Sequence, residues 1–426
     1  MKLGARLFEV LALWSTYDYC EPADTYLHHA LKMNRYIGSS DRRAIRDLFY
    51  DLLRKHILLE GKIHGFIKKT GNRPVNTLEF YRWMLLAHLK ETDQKGALAT
   101  FTGEKYHLDT MTEVEEKLLA IESLQPLDAA SSHNLTPFWY EKLHAQFGEM
   151  LLELMASLDQ EAPLDVRVNT LKFTIEEAMD LLANHNVKAH VLPYSPVGLR
   201  IHDKRSFPND LVQQGLFEPQ DEGSQIITLM CDVKPGMRIV DFCAGAGGKT
   251  LGLAMDMKNK GQIIASDISQ KRLNRAKERF RRLNLQNIVV KMMDAQWIKR
   301  HTGEFDRVLV DAPCSGSGTW RRNPELKQRT NEKDLHELVQ KQRAIVNDAS
   351  RLVKKGGRLI YATCSLLKDE NDDQIAWFLD QHPDFQLIDL SNEMFFNTPP
   401  CNTPTWSMTP LKNNTDGFFL SCMEKK

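Results

Sequence analysis

The stretch MRIVDFCAGAGGKT, residues 237–250, decides the fold. Met237 to Phe242 is a short apolar run of strand length, and it passes directly into a Gly-rich turn from Cys243 to Thr250. Such a turn between a strand and a helix lets backbone approach a ligand closely. Two phosphate-binding readings fail here. A P-loop fits at Gly248-Lys249-Thr250, but its required first Gly is Cys243. A dinucleotide GxGxxG starting at Gly245 and Gly247 needs a third Gly where Thr250 stands. The remaining reading is a loop for S-adenosylmethionine, which carries a sulfonium and an amino-acid tail and needs no phosphate cradle. It engages Cys243, Ala244, Gly245, Ala246, Gly247, Gly248 and Lys249.

Downstream of this stretch, strand patterns recur as GQIIASD, NIVVKMMD, DRVLVDAP and GRLIYATC, and helical patterns follow MRIVDF, GQIIASD and DRVLVDAP. Residues Gln270–Asn284 place Leu273, Ala276, Phe280 and Leu283 on one face and bases on the other, and Leu338, Ile345, Ala349 and Leu352 mark a second helix. Alternation of this kind predicts an α/β, Rossmann-like, mostly parallel sheet with helices on both faces and ligands at the strands' carboxyl ends. Asp267 ends the second strand and suits two ribose hydroxyls; Asp294 ends the third and suits an adenine amino group. Each alone reads equally well as a helix cap. Together, after a Gly-rich loop, they read as ligand contacts.

Upstream the texture is helical. LGARLFEVLALW, interrupted by Arg6 and Glu9, is an amphipathic helix rather than a signal peptide or a membrane span. Ile45, Leu48, Phe49 and Leu52 form a helical stripe that Ser39, Ser40 or Asp41 caps, and Leu78, Trp83, Leu85, Leu86 and Leu89 form another. PLDVRVNTLK alternates Val166 and Val168 against Arg167 and Asn169 as a strand, and residues 186–192 are a second strand. With 426 residues, three segments are expected: helical 1–130, a small α+β segment 131–222 and an α/β domain 223–426. Seven scattered cysteines without a CxxC pair exclude a disulfide framework and a zinc site, and point to the cytoplasm. Net charge is zero, but bases cluster at Arg42–Arg73 and Ile268–Arg300; on charge alone, solvated helix faces account for both.

Two cysteines stand at strand ends in distinctive settings: DAPCSGSG around Cys314 and YATCS around Cys364. Cys20, Cys231, Cys401 and Cys422 read as inert small hydrophobes. A thiolate is the group that cytosine methylation at carbon 5 requires. Its addition to carbon 6 moves electron density to carbon 5, which alone is too weak a nucleophile. A neighbouring acid must polarise N3, and Asp311 is placed for it. Residue types alone leave open which cysteine attacks.

DAPCSGSG, YATCS and DFCAGAGGKT together resemble the Sun or RsmB-type family of RNA cytosine-5 methyltransferases, a class I S-adenosylmethionine-dependent fold. VRVNTLK (166–172), QDEGSQ (220–225) and TDGFF (415–419) match further blocks of that family in order, and SSDRRAIRDLFYDLLRKHILLE resembles its NusB-like RNA-binding domain. The resemblance implies Cys364 as nucleophile and Cys314 in product release, although a Pro-Cys cysteine attacks in DNA cytosine methyltransferases. It also implies cofactor contacts from residues 243–249, Asp267, Asp294 and Asp311. The family's usual loop proline is missing at Ala246-Gly247-Gly248, and Lys368 stands where many members have Pro.

The implied substrate is RNA, 16S rRNA before tRNA, and the expected state is a monomer without metal. Arg42, Arg43, Arg46 and Arg54 are expected to meet phosphates. Trp320, Arg321 and Arg322 are expected near the target base, the Trp stacking and the arginines holding phosphate. Two rivals are a nucleotide-binding dehydrogenase and a non-catalytic RNA-binding assembly factor.

Overall fold

The computed structural model describes residues 1–34, 36–92, 95–105, 107–392 and 403–426; Cys401 lies outside them. The chain forms two compact units: residues 1–160 with 320–332, and residues 161–319 with 333–426.

The second unit holds two sheets. The smaller contains β1 (Leu164–Val168), β2 (Ala189–Val191), β3 (Gly198–Ile201) and β4 (Phe217–Pro219), ordered β2-β3-β1-β4 with every pairing antiparallel. The larger contains β5 (Arg238–Asp241), β6 (Gln262–Ala265), β7 (Ile288–Val290), β8 (Phe305–Asp311), β9 (Val353–Thr363), β10 (Phe385–Leu387), β11 (Trp406–Met408) and β12 (Phe418–Lys425). Its order is β10-β12-β9-β8-β5-β6-β7, with β11 paired to β12. β5 to β9 are mutually parallel, and β10, β11 and β12 close one side antiparallel. The chain leaves β5 toward β6 on one side and returns to β8 on the other, so the end of β5 is the switch point where such sheets bind ligands. The expected helices cover the sheet as Gly248–Asp256, Gln270–Arg282 and Glu332–Leu352. A further short helix, Ala295–Arg300, follows β7, where none was expected.

β1 departs from its half-buried reading. Arg167 is 1% exposed and Asn169 equally so, because both faces of the strand are covered. Arg167 donates to Thr228 Oγ1 (2.7 Å) and pairs with Asp256 Oδ1 (2.7 Å) at the end of the helix behind the Gly-rich loop. A buried guanidinium needs such partners to offset its desolvation.

The first unit is helical, with Leu3–Thr16, Ala23–Met33, Ser39–Arg54, His56–Thr70, Thr77–Glu91, Glu113–Ala120, Pro137–Phe147 and Leu151–Leu158 as its longer helices. Trp14, Phe49, Leu52, Trp83 and Leu86 lie in its core, as the apolar stripes require. The expected cap on Ser39–Arg54 is replaced: Gly38 occupies the cap without a side-chain bond, and Asp41, one turn in, accepts from Arg6 Nε at 2.8 Å.

The segment 320–332 belongs to this helical unit. Trp320 is fully buried, edge-on to Trp139 with ring centroids 5.0 Å apart. Trp139 Nε1 donates to the Lys327 carbonyl (3.0 Å), and Lys327 pairs with Asp159 (2.6 Å). This corrects three expectations. Trp320 is a packed core residue, with no face free for a base. Arg321 is 4% exposed, and its carbonyl accepts from Arg54 Nε. Arg54 is itself buried and paired with Asp51 at 2.9 Å, so neither arginine is presented to phosphate.

Candidate active site

The Gly-rich loop leaves β5 at Asp241 and turns through Gly245 (φ 56°) and Gly247 (φ 83°) into the helix Gly248–Asp256. Gly247 is required twice, by its left-handed backbone and because a Cβ there would sit 2.6 Å from the Phe280 ring. The loop is fastened from outside. The Gly245 amide donates to Asp267 Oδ2 (3.0 Å), Arg279 Nη1 donates to the Ala246 carbonyl (2.7 Å) and Gln220 Nε2 to the Gly248 carbonyl (3.1 Å). Arg279 is held in turn by Glu218 (2.5 Å), which also pairs with Arg282 (2.7 Å). These bonds hold a loop that has no proline to stiffen it.

A cavity of about 750 Å³ opens over this loop, and its lining includes Cys243, Gly245, Asp267, Asp311, Cys314 and Cys364. Ala244, Ala246, Gly248, Lys249, Met292 and Met293 line it too. Asp294 is not among the lining residues. It is exposed, and its Oδ1 caps the helix Ala295–Arg300 by accepting from the Trp297 amide at 2.7 Å. Asp267, which lines the cavity, takes the Gly245 amide on one oxygen and the Ser269 amide (2.7 Å) on the other, which fixes its plane and leaves each oxygen further acceptor capacity.

The two cysteine loops, far apart in sequence, meet at the rim. Cys314 follows β8, Cys364 follows β9, and their Sγ atoms are 3.4 Å apart. Beside them Lys249 Nζ pairs with Asp311 Oδ2 at 2.7 Å. Burial lowers the Lys249 pKa, but the Asp311 carboxylate outweighs it and the net shift is upward, with Cys364 a further contributor. The thiol of Cys314 is pushed well up by its hydrogen bond with Cys364 and by burial. Burial also pushes up Cys243. Asp241, below the loop, is fully buried with one oxygen bound to Thr250, and burial raises it to about 7.

Under the cysteines lies a network that no motif announces. Glu370 is fully buried and accepts from the Ser315 amide, Ser315 Oγ, Ser365 Oγ and Gln342 Nε2. Its sequence setting, Lys368-Asp369-Glu370-Asn371-Asp372-Asp373, reads as a solvated acidic run. Only the packing of the turn against β9 and the helix Glu332–Leu352 buries it.

The remaining motif blocks hold this frame from behind. QDEGSQ meets TDGFF where the Asp416 amide donates to Asp221, and the Phe418 ring lies under Lys249 Nζ at 5.6 Å. Gly318 and Gly417 touch backbone to backbone, with the Gly417 amide donating to the Gly318 carbonyl at 2.7 Å.

The family described as 16S rRNA methyltransferase RsmB/F matches residues 228–424, and the RsmF/B-like ferredoxin-like domain matches residues 136–207. Ribosomal RNA small subunit methyltransferase B of Yersinia pestis is 33% identical over 311 residues, 72% of this chain and 70% of that one. This chain belongs to the RsmB/F family. Probable ribosomal RNA small subunit methyltransferase B of Bacillus subtilis is 29% identical over 425 residues, 94% of each chain. Among solved structures, PH0851 matches with TM-score 0.77 at 27% identity, covering 99% of this chain and 98% of that one. A methyltransferase homolog protein from Pyrococcus horikoshii matches with TM-score 0.60 at 27% identity, covering 69% and 96%.

As an RsmB/F member the chain is an S-adenosylmethionine-dependent RNA methyltransferase. The donor set fits that cofactor: carboxylates at Asp267 and Asp311 suit a molecule carrying cationic groups, and a backbone turn takes the place of a phosphate cradle. Among the described residues no helix is long and apolar enough to cross a membrane, and no three His, Cys, Asp or Glu gather as metal ligands.

Proposed function

We propose that this RsmB/F member methylates carbon 5 of a cytosine in 16S rRNA, in the cytoplasm, with Cys364 as nucleophile and Cys314 serving product release. The observation that carries this reading is the pair of thiols 3.4 Å apart on the rim of the cofactor cavity, beside Lys249 and Asp311. RNA as substrate follows from the family; the small-subunit assignment rests on the names of its relatives.

The thiolate of Cys364 forms a bond from Sγ to carbon 6, and the ring's double-bond electrons become available at carbon 5. Asp311 faces N3 and stabilises its protonated form, while Lys249 orients the Asp311 carboxylate. S-adenosylmethionine, which residues 243–249 and Asp267 would hold, would supply the electrophilic methyl group that carbon 5 takes, its S–CH3 bond breaking to leave a neutral thioether. The carbon-5 proton then leaves to a base, the ring double bond re-forms and the Sγ–C6 bond breaks, returning Cys364 as thiolate. Cys314, within contact of the departing sulfur, assists this elimination. The base must swing out of any stack to reach the thiol, which favours an RNA loop or an unfolded rRNA intermediate.

Phosphate contacts are assigned to the helical unit, where Arg43 and Arg46 are exposed and Arg42 is partly so. We read this unit as the NusB-like RNA-binding domain. Arg322, exposed on the segment 320–332, is a further candidate.

The test pairs two substitutions. Cys364→Ala abolishes turnover and leaves no covalent protein–RNA adduct on a denaturing gel, whereas Cys314→Ala accumulates one. Swapped phenotypes refute the assignment. Bisulfite sequencing of small-subunit rRNA with and without the gene identifies the cytosine.

A further inference from the structure

Two cysteines that divide a reaction between attack and release must be held in register, and their loops come from different strands. Loop 312–317 leaves β8 and loop 364–367 leaves β9. Glu370 binds both. One carboxylate oxygen accepts from the Ser315 amide (2.8 Å) and Gln342 Nε2 (2.9 Å); the other accepts from the hydroxyls of Ser315 (2.5 Å) and Ser365 (2.5 Å). Its own carbonyl takes the Tyr361 hydroxyl at 2.8 Å, which ties the turn to β9. Gln342 also donates to the Pro313 carbonyl (3.0 Å), so the residue before Cys314 is anchored to the same centre. Ser315 and Ser365 each directly follow a cysteine.

We propose that Glu370 is the positioning residue of the cysteine pair: its carboxylate locks the loops after β8 and β9 together and thereby sets the separation of Cys314 and Cys364. This rests on the reading of the two cysteines given above. Every partner of the carboxylate is a donor, and a carboxylate anion offers only acceptors. A glutamine at this position has one acceptor oxygen; its NH2 group would face either the Ser315 amide and Gln342 Nε2, which only donate, or the two serine hydroxyls, which would have to turn to accept, so the lock between the loops is weakened. The Glu370 charge adds to the Cys364 hydrogen bond and to burial in pushing the Cys314 thiol up.

The experiment uses the full chain with Glu370→Gln, alongside Ser315→Ala, which removes the hydroxyl bond to Glu370 together with those to Ser317 and Ser365 and keeps the Ser315 amide bond. Calorimetry with S-adenosylmethionine and thermal melting report the fold; steady-state kinetics on unmodified small-subunit rRNA report the reaction. For Glu370→Gln, kcat falls at least 30-fold, while KM for RNA and Kd for the cofactor stay within two-fold, since no Glu370 atom is needed for either binding step. Ser315→Ala lowers kcat about 3- to 10-fold with the same split. An unchanged kcat in a folded Glu370→Gln protein overturns the proposal, as does a KM rise that accounts for the whole loss. If Glu370→Gln does not fold, Ser315→Ala decides by the same criterion. Active Cys364→Ala protein sinks the cysteine mechanism itself, and that result is read independently of Glu370.

Discussion

Trp320 is the residue where base stacking and structural packing make opposite predictions. Its side chain is fully buried, edge-on to Trp139, with Lys327 Nζ 5.4 Å from its ring centroid. A buried Trp removes about 200 Å² from water, which at roughly 25 cal/mol per Å² is about 5 kcal/mol. Trp320→Ala is therefore expected to destabilise the helical unit by about 3–5 kcal/mol. The indole N–H has no hydrogen-bond partner among the described residues, so Trp320→Phe gives up no bond and loses only part of the buried area. Its expected cost is about 1–2 kcal/mol, within the range for shrinking a core side chain without emptying the site. RNA affinity of Trp320→Ala, measured where the protein is still folded, should match the parent within two-fold. A stacked aromatic would behave differently, since base–aromatic stacking is worth about 1–3 kcal/mol by alanine substitution, or about 5- to 150-fold in affinity. The assay is urea unfolding followed by circular dichroism, paired with filter binding of an rRNA fragment at fixed salt. A Trp320→Ala protein as stable as the parent that binds RNA tenfold more weakly would refute the packing argument.

Asp311→Asn breaks the pair with Lys249 and should lower single-turnover methyl transfer by about 10²- to 10⁴-fold, the usual range for a lost acid–base group, and intact activity would remove Asp311 from the mechanism. Charge reversal at Arg43 and Arg46 should weaken RNA binding and flatten the slope of log K against log salt by about 0.7 per lost single-strand phosphate contact; an unchanged slope argues that these are solvated faces. Burial lowers the pKa of His56 and of His88 to about 4, so both are neutral in the folded helical unit. The unfolded chain takes up their protons first, so stability is full above about pH 6.5 and declines as pH falls toward 4, by up to roughly 3 kcal/mol for each histidine. Denaturant midpoints measured at pH 7 and pH 5 check this, and equal midpoints contradict it. Arg167→Met leaves Asp256 without its partner and should cost about 3–5 kcal/mol, the scale for breaking a buried pair, as read by thermal melting.

The stretch 237–250 was enough to establish a strand, a left-handed glycine turn and a helix, because these depend on neighbours in sequence. Alternating apolar runs carried the parallel direction of β5 to β9 but not their order in the sheet, and the cysteine settings suggested the chemistry. Local pattern could not tell whether a charged residue ends in water or in the interior. Arg54, Arg167, Arg321 and Glu370 all read as surface charge and are all buried, because elements from elsewhere in the chain close over them. Asp294 shows the same limit from the other side: a strand-end acid serves a ligand or a helix cap equally well, and only the structure shows the short helix that its Oδ1 caps. The meeting of Cys314 and Cys364 at 3.4 Å belongs to the tertiary structure alone, since it depends on β8 and β9 lying side by side and on one buried carboxylate joining the loops that follow them.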